Sequence, residues 1–152
     1  MAAITLRPVE QQDRAVVLEL QPRIEQQQLI PDVSTSLDYA DSHPDCIPYM
    51  IVHGETPVGF FVWCVQESTA RLVGFFIDQT FQRRGYARQA VTQMHDLARK
   101  AQVRRIAATM HPANIGAERF YLKMGFTPSG ETLDDEAVYV CDVRNASGGS
   151  GL

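Results

Sequence analysis

The sequence predicts an α/β fold of mixed α+β character: one domain with a central, mostly antiparallel sheet of about six to seven strands, flanked by about four helices. Three observations predict it. The 152 residues are 45% hydrophobic and 21% charged, the values of one globular domain. A chain of about 150 residues buries roughly 70% of its unfolded surface without staples. Strand-like and helix-like periods alternate in a mixed order: strand, two helices, three strands, helix, strand, helix, two strands. Near the middle stands one strand–helix–strand unit, whose helix must cross over right-handed to bring its two strands side by side.

The elements follow in order. Ile4 to Val9 alternates apolar and polar side chains and predicts the first strand. Residues 11–21 carry part of a helical face in Val16, Val17 and Leu20; Gln21-Pro22 weakens that helix, because the residue before a proline is pushed out of the helical region. Arg23 to Ile30 is Gln-rich and fits neither period. After Pro31-Asp32, Ser34 or Ser36 can cap a short helix through about Ser42. Ile47 to Val52, Val58 to Gln66 and Arg71 to Asp78 predict three strands joined by polar turns, hence an antiparallel meander, with Gly74 interrupting the third. Arg88 to Gln102 sets Ala90, Val91, Met94, Leu97, Ala98 and Ala101 on one helical face. Arg104 to Met110 reads as a strand. Pro112 to Met124 reads as a helix, with Ala117, Phe120, Tyr121 and Met124 on one face and Gly125 as its stop. Phe126 to Gly130 and Ala137 to Val143 close the sheet around the polar turn Thr132-Leu133-Asp134-Asp135. The domain is thus expected over 1–144, followed by a flexible Gly/Ser tail over 145–152.

Charge and cysteine usage exclude several function classes. Fourteen basic against eighteen acidic side chains leave a net charge of -4, with no basic excess to drive nucleic-acid or anionic-membrane binding. The residues after Met1 lack the pattern of a signal peptide, and the longest apolar stretch, Pro57 to Val65, is too short to span a bilayer. Cys46, Cys64 and Cys141 form no CxxC and no Cys/His pair at metal spacing, so no metal is expected. They read as buried thiols of a reducing compartment, which predicts a cytoplasmic, soluble protein. The Phe- and Trp-rich middle strands read equally as core or as a homodimer interface.

The segment that carries chemistry runs from Phe75 to Arg88. A strand ending at Asp78 passes through a polar loop into a helix opening near Gly85. Helix N-termini hold anions on their unpaired N–H groups. Gly85 lets a ligand reach the backbone, Ala87 keeps the first turn narrow, and Arg83, Arg84 and Arg88 add positive charge, which suits a diphosphate. Neither the Gly-Lys-Ser/Thr of a nucleotide loop nor a GxGxxG is present.

Gln82-Arg83-Arg84-Gly85-Tyr86-Ala87, preceded by Phe75-Phe76-Ile77, resembles the acetyl-CoA motif of the GNAT superfamily of N-acetyltransferases. Asn114, Ala117, Phe120 and Tyr121 before Gly125-Phe126 resemble a second motif of that family, and the element order matches over about 4–144. Layout and length look most like its diamine and polyamine branch. The resemblance implies acetyl-CoA as cosubstrate. Backbone groups of Phe76 and Ile77 would pair with the pantetheine arm, Gln82 to Ala87 would hold the pyrophosphate, and Asn114 would contact the cosubstrate near its pantetheine. Gly74 would sit at the family's strand bulge. The acceptor would be a primary amine of a small molecule, with a protein N-terminus or lysine, or a noncatalytic acyl-CoA-binding role, as alternatives.

Tyr121 is the expected catalytic residue. Acetyl transfer expels a thiolate, and a phenol of pKa about 10 can protonate a sulfur whose thiol has a pKa of about 8.5. The general base is not identified: His111 beside Pro112 reads as a loop residue, and Asp78 as the cap of the turn that follows it. Where polyamine-acetylating relatives commonly carry carboxylates, this chain has Val73 and Gly74. Cationic recognition is then left to Glu25, Asp32, Asp38 and Asp41, most of which read as solvated charges.

Overall fold

A computed structural model describes residues 3–144; the Gly/Ser tail lies outside the described residues. One seven-stranded sheet runs in the order β1-β2-β3-β4-β5-β7-β6. The strands are β1 (Ile4–Pro8), β2 (Cys46–His53), β3 (Thr56–Gln66), β4 (Thr69–Ile77), β5 (Arg105–Met110), β6 (Thr127–Leu133) and β7 (Glu136–Asp142); the helices are α1 (Arg14–Val17), α2 (Val33–Ser42), α3 (Tyr86–Lys100) and α4 (Ile115–Lys123). All neighbouring strands are antiparallel except β4 and β5, the pair joined through α3. The expected fold class and element order hold. Among the described residues no helix is long and apolar enough to cross a membrane.

The period of two splits each middle strand between two cores. Tyr49, Ile51, Phe61, Trp63, Leu72, Ile106 and Ala108 face α3 and α4, where Ala90, Val91, Met94, Ala98 and Tyr121 meet them. Met50, Val52, Phe60, Val62 and Cys64 face the other way, onto Val17, Leu37 and Ala40 of α1 and α2. A sheet covered on both faces needs near-continuous apolar strands, which explains the density of β2 and β3. Phe60, Phe61 and Trp63 are therefore core, and they offer no dimer surface.

The differences from expectation lie at element ends. Residues 11–21 form only the turn Gln11–Asp13 and the single-turn α1, and the Gln-rich stretch holds the 3-10 turn Ile24–Gln26. Helix α2 is capped by Asp32, whose carboxylate accepts from the Thr35 N–H, and not by Ser34 or Ser36. Asp32 is held below the ordinary carboxylate range by that bond. Helix α4 starts three residues after Pro112, on Asn114. Strand β6 runs on to Leu133, so the closing turn is only Asp134-Asp135.

The cysteine expectation is corrected. Cys46 and Cys64 form a disulfide, and only Cys141 is a free, buried thiol. The turn at Gly54-Glu55 alone would set Cys46 opposite Trp63. A bulge, with Val58 the extra residue between Pro57 and Gly59, slides the register by one and sets Cys46 opposite Cys64. Closing a loop of this span stabilises a fold by about 3 kcal/mol in the chain-entropy account. Reduction should therefore lower the melting temperature by roughly 6–12 °C. Thermal melts with and without dithiothreitol check it, and identical melts would count against a structural role.

Candidate active site

Strand β4 pairs with β5 only from Thr69 to Leu72. Beyond Leu72 the two strands part, and a bulge in β4 puts Gly74 and Phe75 opposite the single residue Phe61 of β3. Gly74 has φ +64, the left-handed conformation such a bulge asks of its first residue. The result is a splay in the sheet, with the last residues of β4 facing no strand on the β5 side.

The hydrogen-bond alternation decides which backbone groups face that gap. The Asp78 N–H donates to the Val58 carbonyl, so Phe76, two residues back, also turns its backbone to β3. Ile77 then turns its N–H and carbonyl to the open side, where the Gln82 amide already donates to the carbonyl. Of the two backbone positions the sequence singles out, Ile77 lies on the free edge. Phe76 differs from the expectation in its backbone, which turns to β3; its side chain packs in the core on the α2 side and also lines the cleft that runs past Ile77 and Tyr121.

The loop after β4 turns sharply. Asp78, buried, accepts from the N–H groups of Gln21 and Thr80 and so caps the 3-10 turn Gln79–Phe81. A carboxylate committed to two backbone donors is a structural cap and no base. Arg83 at φ +65 and Gly85 at φ +80 then bend the chain into α3. Gly85 is the N-cap and supplies no side-chain acceptor, so the first N–H groups of α3 stay open. A Cβ at Gly85 would meet nothing within 4 Å. Turn geometry and an open approach thus both ask for glycine here.

Three clefts run together along this edge. One, lined by Arg83, Gly85, Ala87, Arg88, Lys123 and Arg144 among others, is basic. The next, about 260 Å³, passes between Phe75, Ile77, Gln82, Ala87, Phe120 and Tyr121. It opens into a narrow third cleft, shared through Phe75, Asn114, Ala117 and Tyr121, that ends at Gly74, Thr109 and Glu136. A larger concavity, about 730 Å³, sits at the opposite end of the sheet around the β3–β4 turn and gathers no comparable set.

The expected residues distribute as follows. Gln82, Arg83, Gly85 and Ala87 line the groove, as does Arg88. Arg84 instead lies over the Phe81 ring at 5.4 Å, outside the groove lining. Tyr86 turns its ring into the core, 5.2 Å from the His53 ring, leaving its backbone at the start of α3. Asn114 is buried and caps α4; its Oδ1 accepts from Ala117 N–H and from the Gln26 amide, so any ligand contact falls to its Nδ2. His111 is exposed, and its Nδ1 accepts from the Ala113 N–H. Sequence reasoning missed Lys123 and Arg144 at the basic end. It also missed Glu136 at the far end, which no motif marks.

Tyr121 sits where the second and third clefts meet. Its ring packs 5.5 Å from Phe120 and 5.2 Å from Phe126. Burial, with Glu136 nearby, pushes its phenol well above the ordinary range, so it holds its proton at any working pH. Burial likewise raises the carboxyl of Glu136, while Thr109 and His111 act to lower it.

A basic mouth with open helix N–H groups, a free strand edge and a protonated phenol at the inner end together suit an extended diphosphate ligand bearing a reactive group at its tip. Comparisons agree. The matching family profile is described as the acetyltransferase (GNAT) family and covers residues 14–126. Comparison with curated protein sequences yields no significant match. Among solved structures, a ribosomal-protein-alanine N-acetyltransferase of Escherichia coli is similar at TM-score 0.70 and 16% identity, over 98% of this chain and 99% of that one. The PaiA N-acetyltransferase of Thermoplasma acidophilum, solved with coenzyme A, is similar at 0.71 and 13% identity, over 92% and 99%. An acetyltransferase of Thermus thermophilus is similar at 0.70 and 24% identity, over 93% and 99%. At these identities the likeness speaks for the fold.

Proposed function

Because this chain belongs to the acetyltransferase (GNAT) family, we propose that it moves an acetyl group from acetyl-CoA to a primary amine of a small molecule, both bound at once. One observation carries the reading: the groove along the free edge of β4 is basic at one end, mixes apolar walls with Arg23, Gln26, Gln82 and Asn114 in the middle, and carries the carboxyl group of Glu136 at the other. Acetyl-CoA supplies a thioester carbonyl open to attack by nitrogen. The residues fit it. Arg83, Arg88, Lys123 and the first N–H groups of α3 would hold the diphosphate. The Ile77 edge would take the amide-bearing arm as an added strand. Tyr121 would hold a proton where the sulfur leaves.

The test is calorimetry with acetyl-CoA followed by a thiol-release assay over polyamines, aminoglycosides, amino acids and peptides. Binding with no thiol release from any amine would favour a noncatalytic binder. The second reading is an α-amine at a protein N-terminus. It is favoured by Ile24 (78% exposed) and Ile115 (56% exposed), each next in sequence to a residue lining the middle cleft and suited to peptide side chains.

The diamine and polyamine branch has no specific support, and polyamines should be poor substrates. Glu25 pairs with Arg23 at 2.8 Å, Asp41 pairs with Arg14, and Asp32 caps α2. Among the described residues only Glu136 brings a carboxylate into the groove, enough for one ammonium. The remaining charges of spermine would gain only screened surface attraction. Spermine should show a far higher KM than a monoamine, rising with salt. Efficient spermine acetylation, unaffected by charge removal at Glu25 and Asp32, would sink this expectation.

A further inference from the structure

Resting on that reading, we propose that Glu136 is the base that removes the proton from the acceptor amine. Glu136 opens β7, directly after the tight Asp134-Asp135 turn, and is half-buried. It lines the narrow cleft shared with Tyr121, across from the Gly74 bulge. Among the described residues it is the one carboxylate side chain lining any of the three joined clefts. The alternatives are spoken for. Asp78 is committed to the N–H groups of Gln21 and Thr80. His111 accepts at Nδ1 from Ala113, which in the neutral ring puts the proton on Nε2 and leaves that atom a donor.

The groups that face Glu136 come from each element around it. Tyr121 on α4 is neutral, Thr109 on β5 offers a hydroxyl, His111 follows β5, and Asp134 belongs to the turn. The walls from Leu29 to Pro31 and from Gly74 to Phe75 bring no charge. A carboxylate in such surroundings attracts an ammonium and has its proton affinity raised by burial toward the working pH of a base.

The step balances. Glu136 takes one proton from nitrogen, and the freed lone pair forms the N–C bond at the thioester carbonyl. The C–S bond breaks, and the electron pair on sulfur takes the proton of Tyr121. Glu136 passes its proton to bulk water and then takes the second proton from nitrogen as the amide forms; it releases that proton to water in turn, and Tyr121 is reprotonated from solvent, so that one proton is released per acetyl transferred.

Two measurements test this. In the first, E136Q is compared with wild type using the primary amine that wild type acetylates fastest. Its kcat should fall about 10²–10⁴-fold near neutral pH. The deficit should shrink as pH rises and more free amine arrives, with acetyl-CoA affinity unchanged by calorimetry. A deficit in KM alone, equal at every pH, would make Glu136 an anchor and overturn the proposal. The second needs no turnover: the carboxyl carbon of Glu136, assigned by its loss in E136Q, is titrated by NMR in protein saturated with coenzyme A. It should titrate above ordinary glutamates, and its midpoint should fall on adding n-butylammonium but not n-butanol. An ordinary midpoint insensitive to n-butylammonium would overturn the proposal even where no amine is turned over. Failure of wild type to bind acetyl-CoA would instead sink the functional reading.

Discussion

Tyr121→Phe is expected to lower kcat by about 10²–10⁴-fold while leaving the affinity for acetyl-CoA nearly unchanged. The ring of a phenylalanine keeps the contacts with Phe120 and Phe126, so packing survives and only the hydroxyl is lost. That hydroxyl is kept protonated by burial and by the neighbouring Glu136. Its proton matters when sulfur departs and very little before, so its loss belongs to the transition state and appears in kcat rather than KM. Steady-state kinetics from pH 7 to 9 decide the matter. Wild-type turnover in the variant across that range would reduce Tyr121 to a packing residue.

Gly85→Asp should abolish acetyl-CoA binding. Wild type at 100 times the dissociation constant gains about 2.7 kcal/mol, or roughly 5–11 °C in melting temperature for a domain of this size. The variant forces a side chain into a left-handed N-cap and fills the open approach to the first N–H groups of α3. It also sets a carboxylate among Arg83, Arg88, Lys123 and Arg144, where a diphosphate would lie. Each protein is compared with its own ligand-free melt, which removes any cost of backbone strain. A shift retained in the variant, or missing from wild type, would contradict the assignment of this loop.

Fold and site were legible to different depths. Every strand and every major helix was readable from period and turn chemistry, because those signals are local. Element ends were less so: Asp32, and not Ser34 or Ser36, caps α2, because its carboxylate reaches the Thr35 N–H. The disulfide was hidden, since it depends on a one-residue bulge at Val58 that no composition reveals. In the site, Gln82, Arg83, Gly85, Ala87 and Tyr121, which line the groove, were readable within two sequence motifs, while Arg84 of the same run lies outside the groove. Glu136, Lys123 and Arg144 were not, because each reaches the groove only once distant parts of the chain meet. Which of Phe76 and Ile77 shows its backbone to the gap was hidden for a similar reason, since it depends on the register with β3.

The parting of β4 and β5 also bears on how the molecule comes together. On one side of it lie β1 to β4, with β2, β3 and β4 joined by short turns and β1 reached across α1 and α2; on the other lie β6 and β7, a hairpin that β5 joins. Only the four residue pairs from Thr69–Arg105 to Leu72–Ala108 stitch these two half-sheets through hydrogen-bonded strands, and the loop that brings them together contains all of α3. That seam joins segments separated by a whole helix, so loop closure must come before it forms, as it must for the β1–β2 pairing. A ligand lying in the gap would touch both halves and extend the seam beyond Leu72. Its binding energy then depends on their alignment as much as on any single residue, so substitutions far from the groove that shift one half against the other would be felt as changes in coenzyme affinity.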